Sequence, residues 1–443
     1  MEFSTTTYLK LLGLHVLIAA LIFYLKFLAV PWCVFLFVAG NYLVFKSKNQ
    51  NNEVLLVAAY FVGSEVFLRM TDGFILYETG KYAVIYFVIL GLFFSGFSKY
   101  AWIYFLFLFL LIPGLLLSLL NLNETTDIRK AIAFNISGPV CLAFSAIYCF
   151  KRIITYQSVN QIILALLLPI VSTLTYIFLY APDVKKMAVG TESNAQISGG
   201  WAANQVATML GLGLFCVFVR LLLMSKNWKT IAINLLLLIL MAFRGIATFS
   251  RGGMFTSFAI IFILIIIVYL FVNATTKFNI IKASGFGAVL IFFTWSFISF
   301  QTNGLIDKRY ANKDRGGRME TSRFTGREVL FEEEINFFYD HPIFGIGVGK
   351  SKEIRFENTG NDAATHSEIS RMLAEHGLFG VVGLLLLIFI PFVLYLDNKQ
   401  HIYFFSFYFF WFLTINHAAM RLAAPAFLYG LTLLSVRFEK PAN

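Results

Sequence analysis

Residues 365–396 read THSEISRMLAEHGLFGVVGLLLLIFIPFVLYL, and in this stretch a polar segment gives way to an apolar run of membrane length. A transmembrane helix needs roughly 17–25 apolar residues, so the run from Leu378 to Leu396 predicts a span. Thr365 and Glu368 have the T-x-x-E spacing of a capping box, which predicts that Thr365 caps a helix and His366 is its first residue. The helix dipole there favours a neutral imidazole, which can accept a proton. The alternative is an interfacial histidine that only hydrogen-bonds loop backbone.

The composition of the whole chain indicates an integral membrane protein. Of its 443 residues, 59% are hydrophobic and 13% are charged, and the mean hydropathy is +0.76. These values exclude a soluble globular domain. All four cysteines lie in apolar runs without the spacing of a zinc site, which predicts packing residues and neither a disulfide framework nor a metal centre.

Apolar runs along the chain predict an all-α, polytopic transmembrane helical bundle. Several runs are short, so twelve to fourteen spans are predicted. Residues 1–300 form the N-terminal part of the bundle, residues 301–371 a long loop, and residues 372–443 the C-terminal part, together one integrated membrane domain. The candidate spans are 11–28, 30–45, 54–70, 82–97, 100–120, 133–150, 158–180, 204–224, 230–248, 253–272, 282–300, 373–396, 402–417 and 421–436.

The net charge of +11 follows membrane topology and does not indicate a nucleic-acid partner. The loop 301–371 holds 11 Lys/Arg and 12 Asp/Glu, which leaves 24 basic and 12 acidic residues elsewhere. That excess lies in short loops and helix ends, as the positive-inside rule describes. An N-terminus on the inner side places most of these cations inside and the loop outside.

The outer loop contains its own helix signals. Thr325 and Glu328 repeat the capping-box spacing and predict a helix through Phe338, which the sequence Asp-His-Pro at 340–342 ends. We expect the apolar side of this helix to lie on the bilayer or on the bundle; it comprises Leu330, Phe331, Phe337 and Phe338. The following glycine-rich stretch, IFGIGVGK at 343–350, predicts a tight backbone path but lacks the strand and helix of a nucleotide-binding fingerprint.

Arginines on the outer side are the next candidates for function. Arg244 and Arg251 flank a break between two spans, and Ser250 is placed to cap the helix that Arg251 begins. Arg327 lies in the first turn of the loop helix. Guanidinium groups at helix N-termini suit a diphosphate, whereas each arginine alone could be a snorkelling residue. Arg421, near the last outer turn, is a weaker candidate.

These groups match the needs of glycosyl transfer from a polyprenyl diphosphate. The leaving group needs its growing negative charge held, which arginines do, and the acceptor hydroxyl needs one base, which His366 supplies. Direct displacement at the anomeric carbon inverts configuration. The chain has no D-x-D pair to hold a metal–diphosphate complex, so we expect a metal-independent reaction without a cofactor.

Three motifs together resemble the O-antigen ligase and O-antigen polymerase family of bacterial envelope enzymes, over roughly the last half of the chain. They are SRGG at 250–253, TGREVLFEEEINFFYDHPIFGIGVGK at 325–350 and THSEISRMLAEHGLFG at 365–380. The resemblance implies a GT-C type membrane glycosyltransferase whose periplasmic loop covers a cavity for an undecaprenyl-diphosphate-linked glycan.

The resemblance also implies roles for individual residues. His366 would be the base, and Arg251 and Arg327 would bind the diphosphate. Glu375 and His376 match the family's helix start, with a role in orienting the loop. The family often has His-Asn where this chain has His366-Ser367, which puts any role of that asparagine amide in doubt.

The leading expectation is an O-antigen ligase in the bacterial inner membrane, with its site facing the periplasm and lipid A-core as the acceptor. A repeat-unit polymerase would use the same residues with a glycan acceptor. A protein O-oligosaccharyltransferase is a third possibility. A polysaccharide transporter would be expected to show paired broken helices in two symmetric halves, which the sequence lacks.

Overall fold

The computed structural model describes residues 4–124, 126–320, 327–360 and 365–438. These residues form eighteen α-helices and two short strands. The helices are α1 (Thr5–Tyr24), α2 (Ala29–Ser47), α3 (Glu53–Met70), α4 (Thr79–Ser95), α5 (Trp102–Asn121), α6 (Ile128–Cys149), α7 (Tyr156–Tyr180), α8 (Val184–Met187), α9 (Ala203–Leu223), α10 (Trp228–Ala247), α11 (Arg251–Phe271), α12 (Ala274–Gln301), α13 (Leu305–Tyr310), α14 (Arg327–Asp340), α15 (Lys350–Thr359), α16 (Glu368–Asp397), α17 (Phe404–Ile415) and α18 (Ala423–Leu431). The strands β1 (Ile153–Thr155) and β2 (Ser435–Arg437) pair in parallel.

The helical content confirms the all-α, polytopic prediction, with fewer spans than the sequence suggested. Ten helices in the described part of the chain are long and apolar enough to cross a membrane. The sequence count also included α3, α4, α17 and α18. Charged residues interrupt α3, and the other three have 17, 12 and 9 residues, below or at the lower limit for a span.

The chain divides into two compact units. Unit 1 comprises residues 1–45, 55–77 and 156–321, and unit 2 comprises residues 46–54, 78–155 and 322–443. The predicted loop 301–371 therefore contributes to both units. The division into domains made from the sequence stays a prediction.

Small residues hold the helices of unit 1 close together. A Cβ atom added to Gly253 would lie 2.5 Å from the backbone nitrogen of Thr208, and one on Gly211 would lie 2.9 Å from the carbonyl oxygen of Gly253. Such close approach of two apolar helices requires glycine. The last glycine of SRGG thus fixes α11 against α9. As predicted, α11 begins at Arg251 with Ser250 at the N-cap, although the Ser250 side chain makes no capping hydrogen bond.

Unit 2 is built around α6, which packs against α4, α5 and α18. Close contacts again occur at glycine, since a Cβ on Gly430 would lie 2.8 Å from the Cβ of Ser145. The pair β1 and β2 joins the end of the chain to the start of α7, with Ile154 opposite Val436. Against this framework α16 packs on α5, and α14 packs on α16.

Candidate active site

The segment that precedes α16 does not form the predicted capping box. α16 begins at Glu368, and its N-cap is Ser367, whose side chain accepts a hydrogen bond from the backbone N–H of Ser370. Thr365 and His366 lie before the helix. The prediction that Thr365 caps the helix and that His366 is its first residue is therefore wrong.

The reason is a buried carboxylate on α14. The Thr365 hydroxyl donates to one oxygen of Glu334, and the Ser370 hydroxyl donates to the other at 2.6 Å. The guanidinium of Arg355 lies 3.5 Å from the same carboxylate. Burial raises the pKa of Glu334, and the hydrogen bonds from Ser370 and Thr365 oppose that shift. The charge-assisted bond to Glu334 fixes the Thr365 side chain on α14, and Ser367 caps α16 in its place.

Glu334 also changes the interpretation of α14. The sequence suggested an apolar side for this helix, yet Phe331 is exposed and Glu334 is the buried residue of the helix. α14 therefore lies against α16 through a polar contact. The helix ends at Asp340, two residues beyond the predicted Phe338 and at the first residue of Asp-His-Pro, while the predicted cap at Thr325 and Gly326 lies outside the described residues.

A second ionic cluster lies in the first two turns of α16. Arg371 pairs with Glu368 and, at 2.6 Å, with Glu375. The other oxygen of Glu375 accepts a hydrogen bond from the backbone N–H of Gly349 at 2.8 Å. Glu368 and Glu375, both predicted as supporting residues, are thus joined through Arg371. Glu375 holds the glycine-rich loop against α16.

The glycine-rich loop enters α16 at a break in the helix. Gly377 has φ 57° and ψ −137°, a conformation for glycine alone, and α16 kinks there. The N–H of Leu378, freed by the kink, donates to the carbonyl of Pro342 at 2.7 Å. A Cβ on Gly377 would lie 2.6 Å from the carbonyl oxygen of Ile343. Residues 342–349 therefore dock into the break.

His376 is a packing residue of the same region. It is fully buried, and both ring nitrogens have no hydrogen-bond partner among the described residues. A Cβ on Gly114 of α5 would lie 2.4 Å from its Nδ1 atom. The ring fills the space that the absent side chain of Gly114 leaves, and its predicted role in orienting the loop stays a prediction.

His366 lies in the short segment that directly precedes α16. It is half-buried, and its Nδ1 atom is buried without a hydrogen-bond partner among the described residues. Burial, followed by the charges of Arg327 and Arg421, lowers the pKa of His366 to about 3. The ring is therefore neutral at physiological pH. The sequence predicted neutrality from the helix dipole, whereas burial and neighbouring guanidinium groups are its main causes.

Arg421 reaches His366 from the loop between α17 and α18. Its guanidinium donates to the carbonyl of Thr365 and lies over the ring of Phe134, 5.2 Å from the ring centre. The backbone N–H of Ala419 donates to the carbonyl of His366 at 2.9 Å. This loop therefore fixes the backbone on both sides of the peptide that carries the imidazole.

Arg251, in unit 1, lies beside a second arginine. Its guanidinium donates to the carbonyl of Arg309 at 3.3 Å and to the side chain of Asn312 at 3.4 Å. Arg309 is buried and donates through Nε to the carbonyl of Phe249 at 3.2 Å. Burial lowers the pKa of Arg309, and the charge of Arg251 lowers it further, although Glu320 and Glu192 oppose this. Arg251 is half-buried, so a half-buried and a buried guanidinium lie side by side here, and the predicted contact of Arg251 with a diphosphate stays a prediction.

Arg244, on α10 in unit 1, has a different environment. Its side chain is buried and donates to the carbonyl of Ala181 at 2.7 Å. The guanidinium lies over the ring of Phe178, 4.1 Å from its centre. Its partners are thus separate from those of Arg251, and its predicted contact with a diphosphate stays a prediction.

The segment that carries most of these residues also matches a protein family. Residues 236–385 match the family model described as O-antigen ligase. The chain contains an O-antigen ligase family domain. No curated protein matched the chain in a sequence search. The match confirms the resemblance given by the three motifs, and with the ten apolar helices it indicates a multi-pass membrane protein that carries a domain of this glycosyltransferase-type family.

The O-antigen ligase domain covers about a third of the chain and spans parts of both units. It includes Arg244 and Arg251 in unit 1. In unit 2 it includes Arg327, His366 and the supporting residues of α16. Arg421 lies outside it, in the C-terminal part of unit 2. His366, Arg327 and Arg421 all belong to unit 2, and the charges of the two arginines act on the imidazole of His366.

Four further residues that form contacts in this domain are not predicted by the sequence motifs. Arg371 was visible as the centre of a Glu-x-x-Arg-x-x-x-Glu pattern, whose spacing places all three side chains on one helix face. Glu334 lies four residues from both Leu330 and Phe338, which places a carboxylate on the apolar side of α14. Arg309 and Arg355 had no comparable local pattern, because their partners are far away in sequence.

No group of three or more His, Cys, Asp or Glu side chains within the described ranges is arranged to hold a metal ion. The carboxylates near His366 are instead bound to arginines and hydroxyl groups. What this site offers chemically is a neutral proton acceptor and guanidinium cations.

Proposed function

We propose that the domain transfers a glycan from undecaprenyl diphosphate to a hydroxyl group of an acceptor on the periplasmic side of the bacterial inner membrane. Lipid A-core is the proposed acceptor, so the reaction is that of an O-antigen ligase. The family match supports the reaction class, and the residues around His366 support the chemistry. The donor lipid, the acceptor and the orientation are parts of the proposal.

One observation carries the proposal: the imidazole of His366 is held neutral within reach of the charges of Arg327 and Arg421. Guanidinium groups beside the ring favour the binding of a diphosphate, because they bind phosphate oxygens through charge-assisted hydrogen bonds. A neutral imidazole is the form that accepts a proton. A solely structural histidine would not need this arrangement.

In the proposed reaction the acceptor oxygen attacks the anomeric carbon of the donor sugar as the bond to the diphosphate oxygen breaks. His366 takes the proton of the acceptor hydroxyl, and the electron pair of the broken bond leaves with the diphosphate. Arg327, in the same unit as His366, would stabilise the charge that develops on that leaving group, because hydrogen-bonded guanidinium groups bind phosphate bidentately. Arg251 stays the second predicted diphosphate contact. Attack opposite the leaving group inverts the anomeric configuration.

Arg309 joins Arg251 in this proposal. The Nη1 atom of Arg309 is buried without a hydrogen-bond partner among the described residues, so it has donors free for a phosphate oxygen. Arg251 alone would be a common snorkelling residue. Two adjacent guanidinium groups, one of them buried, fit the two negative charges of a diphosphate better than a single lipid headgroup.

Purified protein tests the proposal directly. Undecaprenyl-diphosphate glycan is the donor and lipid A-core the sole acceptor, and His366→Ala is compared with the unaltered protein. Transfer that depends on His366 is the expected result. Transfer at an unchanged rate by His366→Ala would remove the catalytic assignment.

A deletion strain separates ligase from polymerase. Loss of all long-chain decoration, with accumulation of lipid-linked polymer, is expected of a ligase. Decoration with single repeats would instead indicate a polymerase, which would use the same imidazole and guanidinium groups with a glycan as acceptor.

A further inference from the structure

A cavity of about 620 Å³ lies in unit 1 between α7, α10 and α12. Its charged residues, Arg244 and Asp183, and the amide of Gln301 lie near or just beyond the C-terminal ends of these helices, and Thr294 lies about two turns before the end of α12. The preceding turns contribute apolar side chains, among them Leu240 and Leu290. From Leu290 to Gln301, α12 rises about 16 Å, so the apolar part extends well along the helix axis. The cavity has the form of a site for an amphipathic molecule.

Arg244 is the cation of this cavity. Its side chain is 1% exposed, and while one terminal nitrogen caps α7 at the carbonyl of Ala181, Nε and the other terminal nitrogen have no partner among the described residues. No ion pair links Arg244 to a carboxylate in the described part of the chain. Leaving buried guanidinium donors unpaired is costly, so the site is complete only with an acceptor bound.

The surroundings limit how much negative charge that acceptor can carry. Arg244 is the single Lys or Arg that lines the cavity within the described residues. Asp183 lines the same cavity and pairs with Lys186 at 3.4 Å, and the carbonyl ends of the helices add partial negative charge. One guanidinium with two free donors matches one phosphodiester, whereas a diphosphate would need a second cation.

We infer that this cavity binds a bilayer phospholipid with a net negative charge, whose phosphodiester contacts Arg244 and whose acyl chain lies along α10 and α12. The site gives Arg244 a role other than the diphosphate contact predicted from the sequence. It does not depend on the proposed transfer reaction, and neither does its test.

The test uses full-length protein in detergent with three added lipids: phosphatidylglycerol, phosphatidylcholine and undecaprenyl phosphate. Native mass spectrometry measures how much lipid the protein retains. Thermal unfolding measures how the bound lipid changes the midpoint temperature of unfolding. One retained phosphatidylglycerol per chain, with at least a tenfold preference over phosphatidylcholine and a rise in the midpoint, is expected.

Two variants locate the lipid. Arg244→Gln removes the charge, and Leu290→Trp fills the apolar part without changing any charge, so each is expected to abolish the preference and the rise in midpoint. Arg220→Gln is the matched control, because Arg220 also lies over an aromatic ring, that of Tyr8, but outside this cavity. It is expected to behave like the unaltered protein.

Three outcomes would overturn the inference. The unaltered protein could bind both phospholipids equally, or Leu290→Trp could retain phosphatidylglycerol as the unaltered protein does. Displacement of phosphatidylglycerol by an equimolar amount of undecaprenyl phosphate would assign the cavity to the carrier lipid. If Arg244→Gln does not fold, Leu290→Trp and the displacement experiment decide the question.

Discussion

The guanidinium of Arg421 donates a hydrogen bond to the backbone carbonyl of Thr365, one residue before His366. Arg421 lies in the loop between α17 and α18, so this contact places a cation beside the proposed base, His366. It also joins the backbone before His366 to a loop that lies 56 residues later in the chain. Its charge contributes to keeping the ring neutral. Arg421 therefore acts on His366 in two ways, by position and by field, although it lies outside the family match.

Replacing His366 with Gln is expected to reduce glycan transfer by about 10²- to 10⁴-fold, the usual contribution of a general base. The rate of transfer with saturating donor measures this loss. His341→Gln is the control, because His341 lies exposed at the end of α14 and has no role in the proposed chemistry. Similar losses in both variants would contradict the assignment of His366.

The acid limb of the pH–rate profile is expected to depend on Arg421. A base with a pKa of about 3 stays unprotonated across pH 5–8, so protonation of His366 should not reduce kcat/KM in that range. Arg421→Gln removes a nearby positive charge, which raises the pKa of His366. The decline in rate on acidification should then begin at a higher pH than in the unaltered protein.

The same pKa shift has a consequence for stability. Because folding lowers the pKa of His366, the unfolded chain binds more protons between pH 6.5 and about 3, and this contribution to stability is lost as the pH falls through that interval. Arg421→Gln should raise the pKa of His366 in the folded protein, so the pH interval over which stability is lost should end at a higher pH. If the pH–rate profile of Arg421→Gln declines at the same acidic pH as that of the unaltered protein, the charge of Arg421 does not act on the imidazole of His366.

Glu334 is expected to matter far more than Glu332, two residues earlier on α14. Glu334→Ala leaves two buried hydroxyl groups without their acceptor, which costs about 1–3 kcal/mol for each, while Arg355 keeps its ion pair with Glu333 at 2.7 Å. Thermal unfolding in detergent measures the loss of stability. Glu334→Gln keeps one acceptor oxygen and should lose less.

Glu332→Ala is the matched control for Glu334, since Glu332 is exposed on the same helix. Its midpoint is expected to stay within the error of the unaltered protein. Equal losses for Glu332→Ala and Glu334→Ala would contradict the packing of α14 on α16. In the transfer assay, the lowered activity of Glu334→Gln should exceed what its loss of stability explains, because Thr365 adjoins His366.

The sequence predicts those features of this site that depend on local spacing. The end of α14 follows from Asp-His-Pro, and the start of α11 follows from SRGG. The capping box at Thr365 fails because Glu334, 31 residues earlier, takes the hydroxyl, and nothing in the spacing of T-x-x-E reports such a distant competitor.

Long-range contacts also explain the other differences. His366 is neutral, as predicted, but through burial and through arginines from two other segments. Arg309 stands beside Arg251 only because the chain after α12 folds back over the start of α11. The short helices α17 and α18 were counted as spans because apolar composition alone does not set helix length.

Gly377→Ala is expected to destabilise the protein by more than about 1–3 kcal/mol, the usual cost of a strained backbone conformation. The added Cβ would also lie 2.6 Å from the carbonyl of Ile343, where the glycine-rich loop docks. Thermal unfolding is the measurement. Gly285→Ala is the control, because no atom lies within 4 Å of its Cβ position and alanine favours the helix. A midpoint for Gly377→Ala equal to or above that of the control would show that α16 does not need the break.

Arg251 and Arg309 are expected to act together on the donor. Removal of either guanidinium, as in Arg251→Gln or Arg309→Gln, should lower kcat/KM for transfer by about 10²- to 10³-fold, as for the loss of one donor to a developing negative charge. Arg251→Lys should not restore the rate, because an ammonium cannot bind phosphate through two parallel hydrogen bonds. The double variant should lose less than the product of the single losses, since both groups would contact one diphosphate.

Lys308→Gln, which removes the cation next to Arg309 in sequence, is the control and should keep its activity. Inhibition by inorganic diphosphate provides a second measurement, and unchanged inhibition of Arg251→Gln and Arg309→Gln would contradict a diphosphate site at these two residues.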